Sequence, residues 1–149
     1  RKFEQIGTHP EANTMAIADA LTFHQGIGAA RKEARMRYLR DFWAKRLMTN
    51  ERVRLHTSLD PRFSCGLANV EVEGVDTGDL HGYLWGEHRI MTTPITHAEF
   101  TGLRITPSVY TTMEELTRFC EAVEHVLEHE LAAQPEEGLV EVPCATVRS

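Results

Sequence analysis

The spacing of apolar residues changes near residue 50, and this change constrains the fold more than any other feature of the sequence. Before it, apolar side chains recur at helical spacing from about residue 10 to 25 and from about residue 29 to 48, with Gly26 and Gly28 interrupting the pattern. After it, short alternating segments are separated by helical segments, glycine and proline. We expect two helices that belong to a different structural unit from the rest of the chain.

Four strands and two further helices are predicted after residue 50. Asp76 begins the first of these helices, and a capping box formed by Thr111 and Glu114 begins the second. Helices packed on one face of short strands predict an α+β fold with a mostly antiparallel sheet. The predicted strands lie at residues 53–57, within residues 63–73, and at residues 89–93 and 102–106. We therefore divide the chain into a helical segment at 1–50, an α+β domain at 51–133 and a tail at 134–149.

Composition indicates a globular protein that binds neither nucleic acid nor membranes. The net charge is -6, whereas nucleic-acid-binding proteins usually carry a basic face. No apolar run approaches the roughly 18 residues of a membrane span, and the first residues do not resemble a signal peptide. Three widely spaced cysteines, Cys65, Cys120 and Cys144, favour a reducing compartment, so we expect a cytoplasmic protein. Because the sequence begins with Arg1, we expect a fragment of a longer chain.

The segment Gly7-Thr8-His9-Pro10 stands at the start of a predicted helix. The first amides of a helix have no partners within it and attract anions, glycine permits close approach, and the Thr8 hydroxyl adds a donor. This is a candidate phosphate site. The alternative is that Thr8 only caps its own helix through Glu11.

Arg104 lies between Leu103 and Ile105 on a predicted strand. Alternation directs the two aliphatic side chains to the core and Arg104 to the opposite face. There its guanidinium is placed to bind a carboxylate in a bidentate manner. The alternative is an ordinary arginine on the exposed face of a sheet.

His125, Glu128 and His129 form an HxxEH pattern, which is typical of one class of zinc hydrolase. The two residues between His125 and Glu128 belong to the apolar stripe of a helix, and the chain then enters a tail rich in proline and glycine, with no further helix for a third ligand. We therefore expect no metal site.

Two segments together resemble the class V aminotransferases, a family of pyridoxal-phosphate-dependent enzymes that includes cysteine desulfurases and isopenicillin N epimerase-like enzymes. They are FEQIGT at residues 3–8 and GLRITPSVYTTMEE at residues 102–115. The order of elements between them also fits, and the resemblance covers about residues 1–130. It implies the small C-terminal domain of a fold type I enzyme that works as a homodimer on an amino acid.

The resemblance also implies roles for individual residues. Thr8 matches the threonine that binds the phosphate of pyridoxal 5'-phosphate, usually in the active site of the partner subunit, and Gly7 would permit its close approach. Arg104 matches the arginine that binds the α-carboxylate of the substrate. His9 is adjacent to Thr8 and within reach of the same site, but no motif assigns it a role.

Two departures from the family narrow the expected function. The lysines are Lys2, Lys32 and Lys45, and none matches the lysine that holds the cofactor, so the chain alone should be inactive. Residues 92–101 lack the nucleophilic cysteine of the desulfurases, and Cys65 falls on a predicted strand, so desulfurase activity is not expected. The isopenicillin N epimerase-like branch fits best, with transamination, epimerisation and lyase chemistry all open. A non-catalytic α+β interaction domain and a zinc hydrolase are the alternatives.

Overall fold

A computed structural model describes residues 11–129 of the chain. The described residues form four helices and four strands, which confirms the predicted α+β class. In chain order the elements are α1 (Glu11–Ile27), α2 (Ala29–Leu47), β1 (Val53–Leu55), β2 (Ala68–Val72), α3 (Thr77–His88), β3 (Thr93–Thr96), β4 (Thr101–Ile105) and α4 (Met113–Glu128). Within these residues, no helix is both long and apolar enough to cross a membrane.

The four strands form one antiparallel sheet in the order β1-β2-β4-β3. The central strands β2 and β4 pair Ala68 with Ile105, and Val70 with Leu103. Apolar side chains on one face of the sheet pack against helices α2, α3 and α4, as in a two-layer α+β fold. The sheet contributes Val53, Ala68, Val70, Val72, Leu103 and Ile105 to this core, and the helices contribute Leu39, Trp43, Ala44, Leu47, Leu80, Leu84, Leu116, Phe119, Cys120, Ala122, Val123 and Val126.

Helix α2 is joined to the rest of the fold by both packing and charge. The ring of Trp43 meets Phe119 of α4 edge to face, with the ring centroids 5.7 Å apart. Beside this contact, Arg46 donates two hydrogen bonds of 2.6 Å to the carboxylate of Glu124. The second half of α2 therefore lies in the same core as the sheet.

Helix α1 differs from the other helices because it buries no side chain within the described residues. It continues through Gly26 and ends at Ile27, so Gly28 alone marks the break, at φ +86°. This left-handed backbone conformation favours glycine. Several large apolar side chains of α1 are exposed, namely Met15, Ile17, Leu21 and Phe23.

The predicted strand at residues 89–93 is wrong, because β3 begins at Thr93, where that strand was expected to end. Arg89 instead ends α3 in the left-handed conformation at φ 55°, and its N–H donates to the Trp85 carbonyl. Pro94 lies inside β3, opposite Leu103. Proline is tolerated here because β3 is at the edge of the sheet.

Residues 63–73 contain a strand, as predicted, but β2 begins only at Ala68, after Cys65. The preceding loop is held against α2 by arginine side chains rather than by strand pairing. Arg40 is fully buried and donates to Ser64 Oγ and to the Leu59 carbonyl. Cys65 consequently lies in a loop and is exposed, not on a strand.

Two smaller boundaries also differ from the predictions. Strand β1 stops at Leu55, since the side-chain hydroxyl of Thr57 accepts a hydrogen bond from the Asn69 N–H at 2.9 Å instead of continuing the ladder. Helix α4 has its capping box at Thr112 and Glu115, one residue after the predicted pair.

Candidate functional site

The face of the sheet opposite the helices carries polar side chains. Strand residues alternate between the two faces, so Leu103 and Ile105 enter the core while Arg104 does not. The same alternation on β2 places Asn69 and Glu71 on the face of Arg104. We call this surface the polar sheet face and define it by Arg54, His56, Asn69, Glu71, Thr93, Gly102 and Arg104.

Arg104 lies near the end of β4, between two neighbouring strands. Its Cα is paired with that of Asn69 on β2 and with that of Thr93 on β3. The side chain is exposed, as the alternation predicted, and Nη2 donates to Thr93 Oγ1 over 3.3 Å. Among residues 11–129, no carboxylate forms an ion pair with Arg104. Its guanidinium can therefore offer two parallel N–H groups to a carboxylate from outside this part of the chain.

Asn69 is the buried polar residue beside Arg104, with 6% of its surface exposed. Its backbone is fully paired: the N–H donates to Thr57 Oγ1, and the carbonyl accepts from the His56 N–H at 3.0 Å. By contrast, neither Nδ2 nor Oδ1 of its side chain has a hydrogen-bond partner among the described residues. Asn69 was not among the residues predicted from the sequence. A signal was available, because asparagine is depleted in strands and Asn69 stands between Ala68 and Val70.

A histidine–carboxylate pair lies farther along the polar sheet face. The Nε2 atom of His56 is 2.5 Å from Oε2 of Glu71, and the ring of His56 lies 5.4 Å from that of Phe100, centroid to centroid. The carboxylate and the aromatic ring fix the orientation of the imidazole. Sequence reasoning did not find this pair either, because the two residues are 15 positions apart and meet only through strand pairing.

Gly7, Thr8 and His9 lie outside the described residues. The phosphate site expected at these positions stays a prediction.

The HxxEH pattern does not assemble a metal centre in the part of the chain that the structure describes. The rings of His125 and His129 stack with their centroids 4.4 Å apart, and Nδ1 of His129 lies 3.1 Å from the His125 carbonyl. His129 has already left the helix, at φ -128° and ψ 136°. Within residues 11–129, no three His, Cys, Asp or Glu side chains are grouped closely enough to hold a metal ion.

The two lysines in the described residues do not fit an attachment site for pyridoxal phosphate. Lys32 and Lys45 both lie on α2, on the helical side of the sheet. Lys45 pairs with Asp41 at 3.0 Å, and Nζ of Lys32 is 2.9 Å from Nδ1 of His24. The amino groups of both lysines therefore already have partners on helices α1 and α2.

No family model matches the chain, but curated relatives do. It is 28% identical over 127 residues to isopenicillin N epimerase of Amycolatopsis lactamdurans, covering 85% of this chain and 32% of the relative. It is 30% identical over 126 residues to isopenicillin N epimerase of Streptomyces clavuligerus, covering 83% of this chain and 31% of the relative. The chain thus spans about a third of the length of these relatives.

Solved structures share the fold. Apo cysteine desulfurase from Thermococcus onnurineus NA1 superposes with a TM-score of 0.71 at 21% identity, covering 82% of this chain and 32% of that one. The cysteine desulfurase CsdA from Escherichia coli superposes with a TM-score of 0.69 at 22% identity. The match covers 83% of this chain and 32% of CsdA. At this identity the likeness concerns the fold. Together with the sequence relatives, it shows that the chain is similar to the C-terminal region of class V, pyridoxal-phosphate-dependent aminotransferase-like enzymes.

Proposed function

We propose that this chain is the C-terminal region of a pyridoxal-phosphate-dependent enzyme that acts on an amino acid, and that Arg104 binds the α-carboxylate of that substrate. One observation carries the proposal. Arg104 is an exposed arginine on a strand of the sheet, and no carboxylate among the described residues forms an ion pair with it. A planar guanidinium in this position is suited to bidentate recognition of a carboxylate.

The surroundings of Arg104 favour precise placement of a substrate. Its backbone is paired on both sides, with β2 and with β3, so the Cα position is fixed by the sheet rather than by a loop. Binding groups on regular elements are held more accurately than groups on loops. Arg104 would therefore anchor one end of the substrate, while residues outside this chain would act on its reacting carbon.

The cysteines support a reaction other than desulfuration. Cys120 is fully buried, and burial raises the pKa of its thiol to about 11, so it is not a thiolate at neutral pH. Residues 92–101, shortly before Arg104, contain no cysteine. Cys65 is exposed, but it lies on the α2 side of the fold, with Sγ 3.9 Å from the Glu33 carbonyl. The names of the sequence relatives favour epimerisation, and we adopt it as the proposed reaction type.

The proposal requires parts that the described residues do not supply. A lysine that attaches the cofactor would come from a region upstream of Arg1, and the cofactor would provide the electron sink for chemistry at the α-carbon. In a homodimer, Gly7 and Thr8 would contact the cofactor phosphate in the partner subunit, with His9 close by. Residues 1–50 would then form the end of the large cofactor domain and an interdomain helix, of which the second half of α2 packs in the core of the small domain. Residues 51–133 would form the small domain, and residues 134–149 a tail.

Expression of the complete gene product tests this function. We expect purified protein to carry pyridoxal phosphate, visible by its absorbance, and to change the configuration of isopenicillin N without releasing sulfide from L-cysteine. Sulfide release would contradict the proposed reaction type. The proposed enzymatic function would be contradicted if the reading frame encoded no upstream lysine and the purified protein bound no cofactor. The chain would then be a non-catalytic α+β domain.

A further inference from the structure

We propose that Asn69 is a positioning residue for Arg104, in which the carboxamide oxygen accepts a hydrogen bond from the guanidinium and holds it in the orientation that receives a substrate carboxylate. This inference rests on the proposed function of Arg104. It assigns to Asn69 a role that neither the sequence pattern nor the family resemblance suggested.

The side-chain carboxamide of Asn69 is buried without a hydrogen-bond partner among the described residues. A buried amide that has lost water and gained no partner destabilises the folded protein, so such groups are rare. Asn69 is more than nine-tenths buried, and both polar atoms of its side chain are unpaired among the described residues. The backbone N–H and carbonyl of Asn69 already have hydrogen-bond partners. A partner for the side chain must therefore come from a neighbour that can move or from a molecule outside this part of the chain.

Arg104 is a neighbour of Asn69 whose exposed side chain can move to pair with the carboxamide. The two residues are directly paired across β2 and β4 and share one face of the sheet. Side chains so placed have Cβ atoms roughly 4.5–5.5 Å apart, which is well within the reach of an arginine. The present bond from Arg104 to Thr93 is long, at 3.3 Å, and so holds the guanidinium weakly. Rotation of the side chain away from Thr93 would bring its N–H groups towards Asn69.

The backbone beside the carboxamide leaves room for it. Gly102 lies on the same face, and a Cβ atom there would be 2.6 Å from Oδ1 of Asn69. Only glycine leaves Oδ1 in its present position. The carboxamide is thus accommodated by its surroundings although it has no partner in them.

A double-mutant cycle in the complete enzyme tests the proposal, with isopenicillin N as the probe. Asn69→Leu removes both polar atoms at similar volume. We expect it to raise KM roughly 10-fold, the effect of one lost hydrogen bond to a charged group, with kcat changed less than about two-fold. The melting temperature should stay the same or rise, because an unpaired buried amide has been removed. When Arg104 is already alanine, Asn69→Leu should change KM by less than about two-fold.

The outcomes separate this inference from the function on which it rests. If Arg104→Ala leaves KM unchanged, the carboxylate role of Arg104 fails, and the inference fails with it. If Arg104→Ala raises KM but Asn69→Leu does not, or if the two effects multiply, Arg104 keeps its role and Asn69 does not position it. An ordered water that satisfies the carboxamide would give that second result.

A second variant keeps the test decisive if the leucine variant does not fold. Asn69→Asp is nearly isosteric and places a carboxylate beside the guanidinium, where it would compete with the substrate. We expect a larger rise in KM than for a neutral replacement, and no rise when Arg104 is alanine. An equal rise in both backgrounds would overturn the positioning role.

Discussion

Asn69 and Gly102 approach each other so closely across β2 and β4 that a Cβ atom on Gly102 would lie 2.6 Å from Oδ1 of Asn69. The same atom would lie 2.5 Å from the carbonyl oxygen of Val70. Gly102 also has a φ of +140°, a conformation that other residues rarely adopt. The glycine therefore allows β4, which carries Arg104, to pair closely with β2.

Gly102→Ala should destabilise the protein by about 2 kcal/mol or more, because the methyl group meets backbone atoms and the φ is strained. Urea unfolding would measure the change. Gly82→Ala is the matched control: a Cβ there meets nothing within 4 Å, and the residue lies in α3. That variant should gain about 0.5–1 kcal/mol, because alanine favours a helix. Equal stabilities for the two variants would contradict the close approach of β2 and β4.

Thr112→Ala should cost about 1 kcal/mol of stability, because it removes the capping box of α4. In the box, Thr112 Oγ1 accepts from the Glu115 N–H at 3.2 Å, and the Thr112 N–H donates to the Glu115 carboxylate at 2.7 Å. Glu114→Ala changes an exposed residue of the same turn outside the box and should shift stability by less than about 0.5 kcal/mol. A larger effect for Glu114→Ala would place the box one residue earlier, where our sequence analysis put it.

Cys65 should react with a thiol reagent in the native protein, whereas Cys120 should be protected until the protein unfolds. Cys65 is exposed, while Cys120 is fully buried and burial raises its pKa to about 11. Both access and thiolate content therefore oppose modification of Cys120. Mass spectrometry of maleimide-labelled peptides would measure the two rates. Labelling of Cys120 as fast as Cys65 in folded protein would show that Cys120 does not face the core from α4.

Asp41 should stabilise the fold above acidic pH and lose that effect on acidification. Burial alone would raise its pKa, but hydrogen bonds from Arg40 and Lys45 hold the pKa below the usual aspartate value. Since the folded-state pKa lies below the unfolded value of about 3.9, the contribution is complete above that value and disappears as pH falls through the folded pKa.

Urea unfolding of wild type and Asp41→Asn across the acid range would measure this dependence. The stability difference should be constant at neutral pH and shrink at pH below about 3.9. If the stability difference between the two proteins grows as the pH falls, folding raises the pKa of Asp41. That result would contradict the pairing of Asp41 with Arg40.

The element order and the location of the sheet were predictable because apolar spacing reports on local structure. The predicted strand boundaries that were wrong depend on contacts with residues that are distant in the sequence. β3 tolerates Pro94 only because it lies at the sheet edge, and no local pattern reveals strand order. The loop before β2 is fixed by Arg40 of α2, a contact across 24 positions of sequence to Ser64, so Cys65 was wrongly placed on a strand.

The candidate site was partly predictable for the same reason. The face of Arg104 follows from alternation between Leu103 and Ile105, two apolar neighbours that point to the core. The proximity of Asn69 depends on the register of β2 against β4, and this register is set by the whole sheet. Sequence pattern therefore identifies single residues of the site, whereas strand pairing determines which of them meet.

The kinetics of Arg104→Ala in the complete enzyme test the central claim most directly. With isopenicillin N as substrate, we expect kcat/KM to fall roughly 30- to 150-fold, equivalent to about 2–3 kcal/mol for a lost charge-assisted contact. Arg104→Lys should recover only part of this loss, because an ammonium group cannot form the bidentate contact. The control is Arg54→Ala, which removes an exposed arginine from β1 on the same face and should leave kcat/KM within about two-fold of wild type. If Arg104→Ala behaves like Arg54→Ala, Arg104 does not bind the substrate carboxylate.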